Sequence, residues 1–158
     1  MKINDIKTFV GNLIREQVET SVMIVGTMGV GKSQIMAQIA KENQMELVDL
    51  RLAQMESGDL LGLPYKSESG RTEFAAPGWW PKEGTKGIIF LDELNRAPTD
   101  VRQSIFQLVL DKRLHTHKLP KGWYVHAAIN PGGDMGNENY QVESLDKAML
   151  RRFCVVTV

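Results

Sequence analysis

The 158-residue chain is 42% hydrophobic and carries 19 basic and 19 acidic side chains, for a formal net charge of zero. That length supports one domain with a substantial core, and the charge balance offers no global field for nucleic acid or an anionic membrane. The only cysteine, Cys154, excludes a disulfide framework and reads as a small core residue; no apolar run reaches bilayer length, and Met1–Asp5 lacks the apolar region of a secretory signal, so a reducing cytoplasm is the expected compartment.

In chain order, Ile6, Phe9, Val10, Leu13 and Ile14 fall at helical spacing and predict an amphipathic first helix. Asn4 or Asp5 is its expected cap. A strand is predicted near 21–25, a helix over about 32–43 and a second strand over Glu46–Leu50. Met55–Leu61 fits one or two helical turns. Residues 62–86, rich in Gly, Pro and charge, read as an irregular insertion or a hairpin. Gly87–Glu93 predicts a strand, Pro98-Thr99-Asp100 starts a helix with Ile105, Leu108 and Val109 as its stripe, and Tyr124–Ile129 predicts a further strand. A short helix over about 143–151 and a last strand over Phe153–Val158 complete the pattern. Strands alternating with helices imply a parallel sheet in an α/β domain.

Gly26-Thr27-Met28-Gly29-Val30-Gly31-Lys32-Ser33 follows the apolar run Val22–Val25 and opens the second helix. This is G-x-x-x-x-G-K-[ST] in the strand–loop–helix setting that the motif requires. Glycines let successive backbone N–H groups converge on phosphate oxygens, and the positive end of the helix beginning at Lys32, Ser33 and Gln34 adds to the field. Lys32 would reach the β- and γ-phosphates, and the Ser33 hydroxyl would take a Mg²⁺ position. Gly87-Ile88-Ile89-Phe90-Leu91-Asp92-Glu93 strengthens the reading over that of an ordinary glycine turn. An apolar run of this kind suits a strand buried on both faces, and its two carboxylates would emerge where open α/β sheets bind ligands. Asp92 would hold Mg²⁺ directly or through water, and Glu93 would orient and deprotonate the attacking water.

Four segments in order then carry a family resemblance: Gly26–Ser33, Leu91-Asp92-Glu93-Leu94-Asn95-Arg96-Ala97-Pro98, Ala127-Ala128-Ile129-Asn130-Pro131, and Leu145–Phe153 with Arg151-Arg152 near its end. Together they resemble a AAA+ ATPase, and within that class the MoxR-type branch, over roughly residues 20–158. The resemblance implies a three-layer P-loop NTPase sandwich with a parallel sheet of order 5-1-4-3-2. It implies ATP and Mg²⁺ as cofactors and work as a homo-oligomeric ring that remodels protein partners. By motif, Asn130 matches sensor 1, at a strand end beside the acidic strand, and Arg152 matches an arginine finger serving a neighbour's nucleotide. Arg151 is adjacent and could share that role, and a cationic helix end is the alternative for both, weighed below the finger for Arg152. The family normally continues into a helical lid with a sensor 2 arginine. No residue here is assigned to it, so the expectation is one core over 1–158 with an insertion at about 62–86 and no lid, either a piece of a longer protein or a minimal one.

Other features are expected to be structural. At least one of Trp79 and Trp80 should pack the insertion onto the sheet. His115 and His117, two apart, should share one face of a strand as exposed hairpin residues, without the further ligands a metal needs. Met28 and Val30 fill variable loop positions. The insertion lies where MoxR-type proteins carry a pore-facing element. Two functional classes follow: a remodelling ATPase, favoured by Asp92 with Glu93, and a nucleotide-binding switch or assembly module with little turnover. A DNA-dependent motor lacks a charge footprint, and a GTPase lacks an Asn-Lys-x-Asp motif.

Overall fold

The computed structural model describes residues 1–131 and 145–158. The first helix, α1 (Ile3–Arg15), buries Ile6, Val10 and Ile14, the stripe expected of it. Its cap corrects the expectation. Lys2 takes the capping position, and Asp5 sits inside the first turn, where its carboxylate accepts from the Lys2 N–H at 3.1 Å. A carboxylate there satisfies an orphan donor and faces the positive helix end.

The chain then forms β1 (Val22–Val25), α2 (Lys32–Glu42) and β2 (Glu46–Arg51). A 3-10 turn at Leu52–Gln54 leads into α3 (Ser57–Leu61), so the ambiguous segment is one short helix. Residues 62–86 contain a hairpin of β3 (Leu63–Lys66) and β4 (Thr72–Ala75), followed by β5 (Gly87–Asp92). After a 3-10 turn at Leu94–Arg96 come α4 (Thr99–Asp111) and a small hairpin of β6 (Arg113–Leu114) and β7 (His117–Lys118). Then follow β8 (Trp123–Ile129), α5 (Lys147–Leu150) and β9 (Cys154–Thr157). The helix expected over about 143–151 is shorter among the described residues, and positions 143 and 144 lie outside them.

β2, β5, β8, β1 and β9 lie in that order in one sheet, and every neighbouring pair is parallel. Numbered along the chain, the five sheet strands are ordered fifth, first, fourth, third, second, as expected. Alternation along each strand divides the core between two faces. Ile88 and Phe90 of β5 pack with α1 and α2, through Ile6, Val10, Ile35 and Ile39. Ile89 and Leu91 face the other way, against Val101, Ile105 and Leu108 of α4 and Leu60 of α3. The result is a three-layer α/β sandwich. Because all five strands run the same way, the carboxyl ends of β1, β5 and β8 meet on one edge of the sheet.

The β3–β4 hairpin exposes most of both faces, including Leu63 and Tyr65. Trp79 and Trp80 are half-buried against the α4-side core, so both take the packing role, and Trp79 Nε1 donates to the Asp59 carbonyl at 2.8 Å. His115 and His117 depart from the shared-face expectation. His115 sits in the turn with φ of 52° and its ring lies 4.0 Å from that of Phe74, whereas His117 is half-buried in β7 beside Trp80. The tight β6–β7 turn breaks the strand alternation that the i, i+2 spacing presumes. Cys154 is half-buried against the α1–α2 core. No helix among the described residues is long and apolar enough to cross a membrane.

One polar group lies deep in the sheet. His126 of β8 is fully buried and its Nδ1 accepts from the Val22 N–H at 3.1 Å, which leaves the proton of the neutral ring on Nε2. Burial, and then the cation of Lys112, lower its pKa from 6.5 to about 3. Lys112 is itself pushed down by burial and held up by Glu19, and its Nζ lies 3.4 Å from Ser21 Oγ.

Candidate functional site

The glycine loop joins β1 to α2 at the carboxyl edge of the sheet. Gly31 takes the capping position of α2 with φ of 90°, a left-handed conformation that L side chains rarely adopt. Gly26 is closely packed: a Cβ there would come within 3.2 Å of Val30 Cγ2 and 3.3 Å of Val158 Cβ, so a neighbour would have to give by a few tenths of an ångström. Val30 therefore packs back on the loop, whereas Met28 is 71% exposed at its tip.

Lys32 is 7% exposed, and its ammonium uses all three of its donors. It bonds the Gly26 carbonyl at 2.7 Å, the Thr27 carbonyl at 2.9 Å and Asn130 Oδ1 at 2.6 Å. Burial pushes its pKa below the ordinary 10.5, and the charges of Asp92 and Glu93 oppose that drop. A phosphate group entering here would replace three neutral acceptors with charged ones, which make stronger bonds to an ammonium.

Opposite the loop, β5 ends at Asp92. Ser33 Oγ donates to Asp92 Oδ2 at 3.3 Å, and the Glu93 N–H donates to Asp92 Oδ1 at 2.9 Å. Glu93 has φ of 56° and ψ of 37°, left-handed for a residue with a Cβ. Such a conformation costs about 1–2 kcal/mol and is met at sites that must aim a side chain. The Glu93 carboxylate pairs with Arg96 Nη1 at 3.4 Å. A cleft of about 260 Å³ lies between these groups, lined by Met28, Gly29, Gly31, Lys32, Ser33 and Gln34 on one side and Asp92, Glu93 and Asn130 on the other. Ser33 and Asp92 present oxygen donors side by side, the hardness that Mg²⁺ prefers, and a small number of protein ligands suits an ion completed by water and phosphate. Among the described residues no group of three or more His, Cys, Asp or Glu gathers as a metal cage, at the cleft or away from it.

Most of the predicted residues therefore converge on the cleft; Gly26, Thr27 and Val30 belong to the loop without lining it, and Arg152 lies elsewhere. Arg152 is exposed beyond α5, its N–H bonded to the Met149 carbonyl, and neither it nor Arg151 lines the cleft. One residue was not singled out from sequence. Asn95, 4% exposed, donates its Nδ2 to the Asn130 carbonyl at 2.7 Å and so joins the turn after β5 to the end of β8. Its place inside the Asp-Glu-Leu-Asn-Arg-Ala-Pro run was the available signal.

A parallel three-layer sandwich with a glycine loop, its lysine and an acidic strand end on one edge defines a P-loop NTPase fold. Residues 21–153 match the model of the AAA domain, dynein-related subfamily, and the chain belongs to that family. Among solved structures, the chain is similar to a candidate ATPase of Cytophaga hutchinsonii, with 20% identity and a TM-score of 0.67, over 96% of this chain and 46% of that one. It is also similar to NtrX of Brucella abortus solved with ADP, with 17% identity and a TM-score of 0.64, over 98% of this chain and 34% of that one. At these identities the likeness is one of fold, and the chain spans less than half the length of either.

Proposed function

We propose that this chain binds Mg-ATP in the cleft and hydrolyses it as a AAA+ ATPase of the MoxR type, working in the cytoplasm as a ring oligomer that remodels a protein partner. The observation that carries the reading is the convergence of Lys32, Ser33, Asp92, Glu93 and Asn130 on one cleft, within a chain of the AAA family. The ADP in the NtrX structure supports a nucleotide as ligand. In this reading residues 1–158 form one AAA+ core with 62–86 as its insertion.

In this reading each residue takes one role. The backbone N–H groups of Gly26–Ser33 and the start of α2 take the phosphate oxygens. Lys32 exchanges its carbonyl partners for the β- and γ-phosphates. Ser33 and Asp92 would hold Mg²⁺, which supplies charge neutralisation at the phosphates when bound. Glu93 accepts a proton from water, and the amide of Asn130, released from Lys32, orients that water and the γ-phosphate. Arg152, exposed on its own chain, is free to reach a neighbour's nucleotide. A second reading, a nucleotide switch with little turnover, draws support from the Arg96–Glu93 ion pair, which occupies the proposed base.

Calorimetry with ATP and Mg²⁺ tests the site. Lys32→Ala should abolish or strongly weaken binding, and equal affinity in wild type and variant would refute the assignment. Glu93→Gln should keep ATP and lower turnover by about two to four decades. An unchanged rate would move the base elsewhere.

A further inference from the structure

We infer that Asn95 is a positioning residue that fixes Asn130 relative to Glu93 and thereby sets the discrimination between ATP and ADP; the inference rests on the nucleotide-binding reading above. Asn95 lies in the middle of the 3-10 turn Leu94–Arg96. Asparagine in a turn ordinarily bonds its own nearby backbone. This one reaches across 35 residues to the Asn130 carbonyl instead. The orientation of its amide is set by that contact, because only the NH₂ group can meet a carbonyl oxygen. Its Oδ1 is buried with no hydrogen-bond partner among the described residues. A buried acceptor without a partner is costly, and an apolar side chain of similar size would fill the space without that cost. What the amide adds is the tie to Asn130.

That tie joins two contacts already at the cleft. The Asn130 side chain holds Lys32 at 2.6 Å, and the residue after Asn95, Arg96, holds Glu93 at 3.4 Å. One three-residue turn thus bears on both groups that face the γ-phosphate in the proposed reaction. With its carbonyl anchored, Asn130 can turn only its side chain when a γ-phosphate takes Lys32 from it, and any strain in its peptide passes to the turn beside Glu93. ADP reaches Lys32 through its β-phosphate and lacks the γ-phosphate that would take the Asn130 contact.

Isothermal calorimetry with a non-hydrolysable ATP analogue and with ADP, both with Mg²⁺, tests the inference without needing turnover. In Asn95→Leu the ratio of the two affinities should shift about tenfold toward ADP, the scale of one lost hydrogen bond, with ADP affinity kept within about twofold. The melting temperature should stay close to that of wild type, because loss of the orphaned Oδ1 offsets loss of the bond to the Asn130 carbonyl. Asn95→Asp keeps the size but turns an acceptor toward the Asn130 carbonyl, and should show the same shift should the leucine variant fail to fold. An unchanged ratio overturns the inference. So does a parallel loss of both affinities with a lowered melting temperature, the mark of a merely structural residue. Failure of wild type to bind either nucleotide would instead sink the nucleotide reading itself, and Lys32→Ala would then match wild type.

Discussion

His126 makes the stability of this fold depend on pH in a way that can be worked out. Its pKa is about 3 in the folded chain against 6.5 as the ordinary value. The unfolded chain therefore binds more protons between those two values, and stability falls as pH falls through that window. Each pKa unit is worth about 1.4 kcal/mol. Between pH 7 and pH 4.5 the imidazole alone should remove roughly 2–3 kcal/mol, a large share of the 5–15 kcal/mol typical of a domain. Urea unfolding at both pH values, for wild type and His126→Gln, isolates this share. Glutamine keeps an acceptor for the Val22 N–H and does not titrate, and the carboxylates contribute alike to both proteins. The loss on acidification should be smaller in the variant by about that amount, whatever its stability at pH 7. Equal losses in the two proteins would refute the assignment of a neutral, desolvated ring. Lys112→Met, which removes the nearby cation, should reduce the effect without abolishing it, since burial is the larger cause.

Two further outcomes are expected at the cleft. Asp92→Asn should weaken Mg²⁺-dependent nucleotide binding or turnover while changing Mg²⁺-free binding less, and calorimetry with and without EDTA checks this; equal losses in both conditions would remove Asp92 from the metal. Mixing Arg152→Ala with Lys32→Ala chains should restore part of a concentration-dependent ATPase activity, because each suitable interface pairs an intact pocket with an intact arginine. No recovery in mixtures shown to co-assemble would leave Arg152 without a role in trans and make Arg151 the next candidate.

The parts of this molecule that were readable from sequence are those whose physics is local. Apolar alternation and runs located the sheet strands within a residue or two, as at Glu46–Arg51 and Trp123–Ile129. The glycine loop was legible because its glycines answer to a left-handed φ at Gly31 and close contact at Gly26. What was hidden depends on residues far apart. The Asn95–Asn130 bond spans 35 residues and the Val22–His126 bond 104, and no pattern in either segment announces the partner. The left-handed turn at Glu93 was equally silent, since nothing in Asp-Glu-Leu marks a non-glycine residue for positive φ. The capping position at Lys2 shows the other limit: two good capping residues stood next to each other, and which one faces the helix end is decided by where the chain enters it.

The strand order has a consequence for how the protein is made. β1 pairs on one side with β8 and on the other with β9, so both of its partners are synthesised more than a hundred residues after it. During translation β1 therefore emerges with neither edge satisfied, and α1 and α2 can cover only one of its faces. The five-stranded sheet is complete only when Cys154–Thr157 has left the ribosome and inserted beside Val22–Val25. Pairings this distant in sequence make loop closure a dominant barrier and slow folding relative to local contacts. A nascent chain halted before residue 154 would display Val22, Met23, Ile24 and Val25 along an open strand edge, a surface suited to chaperones and to aggregation alike.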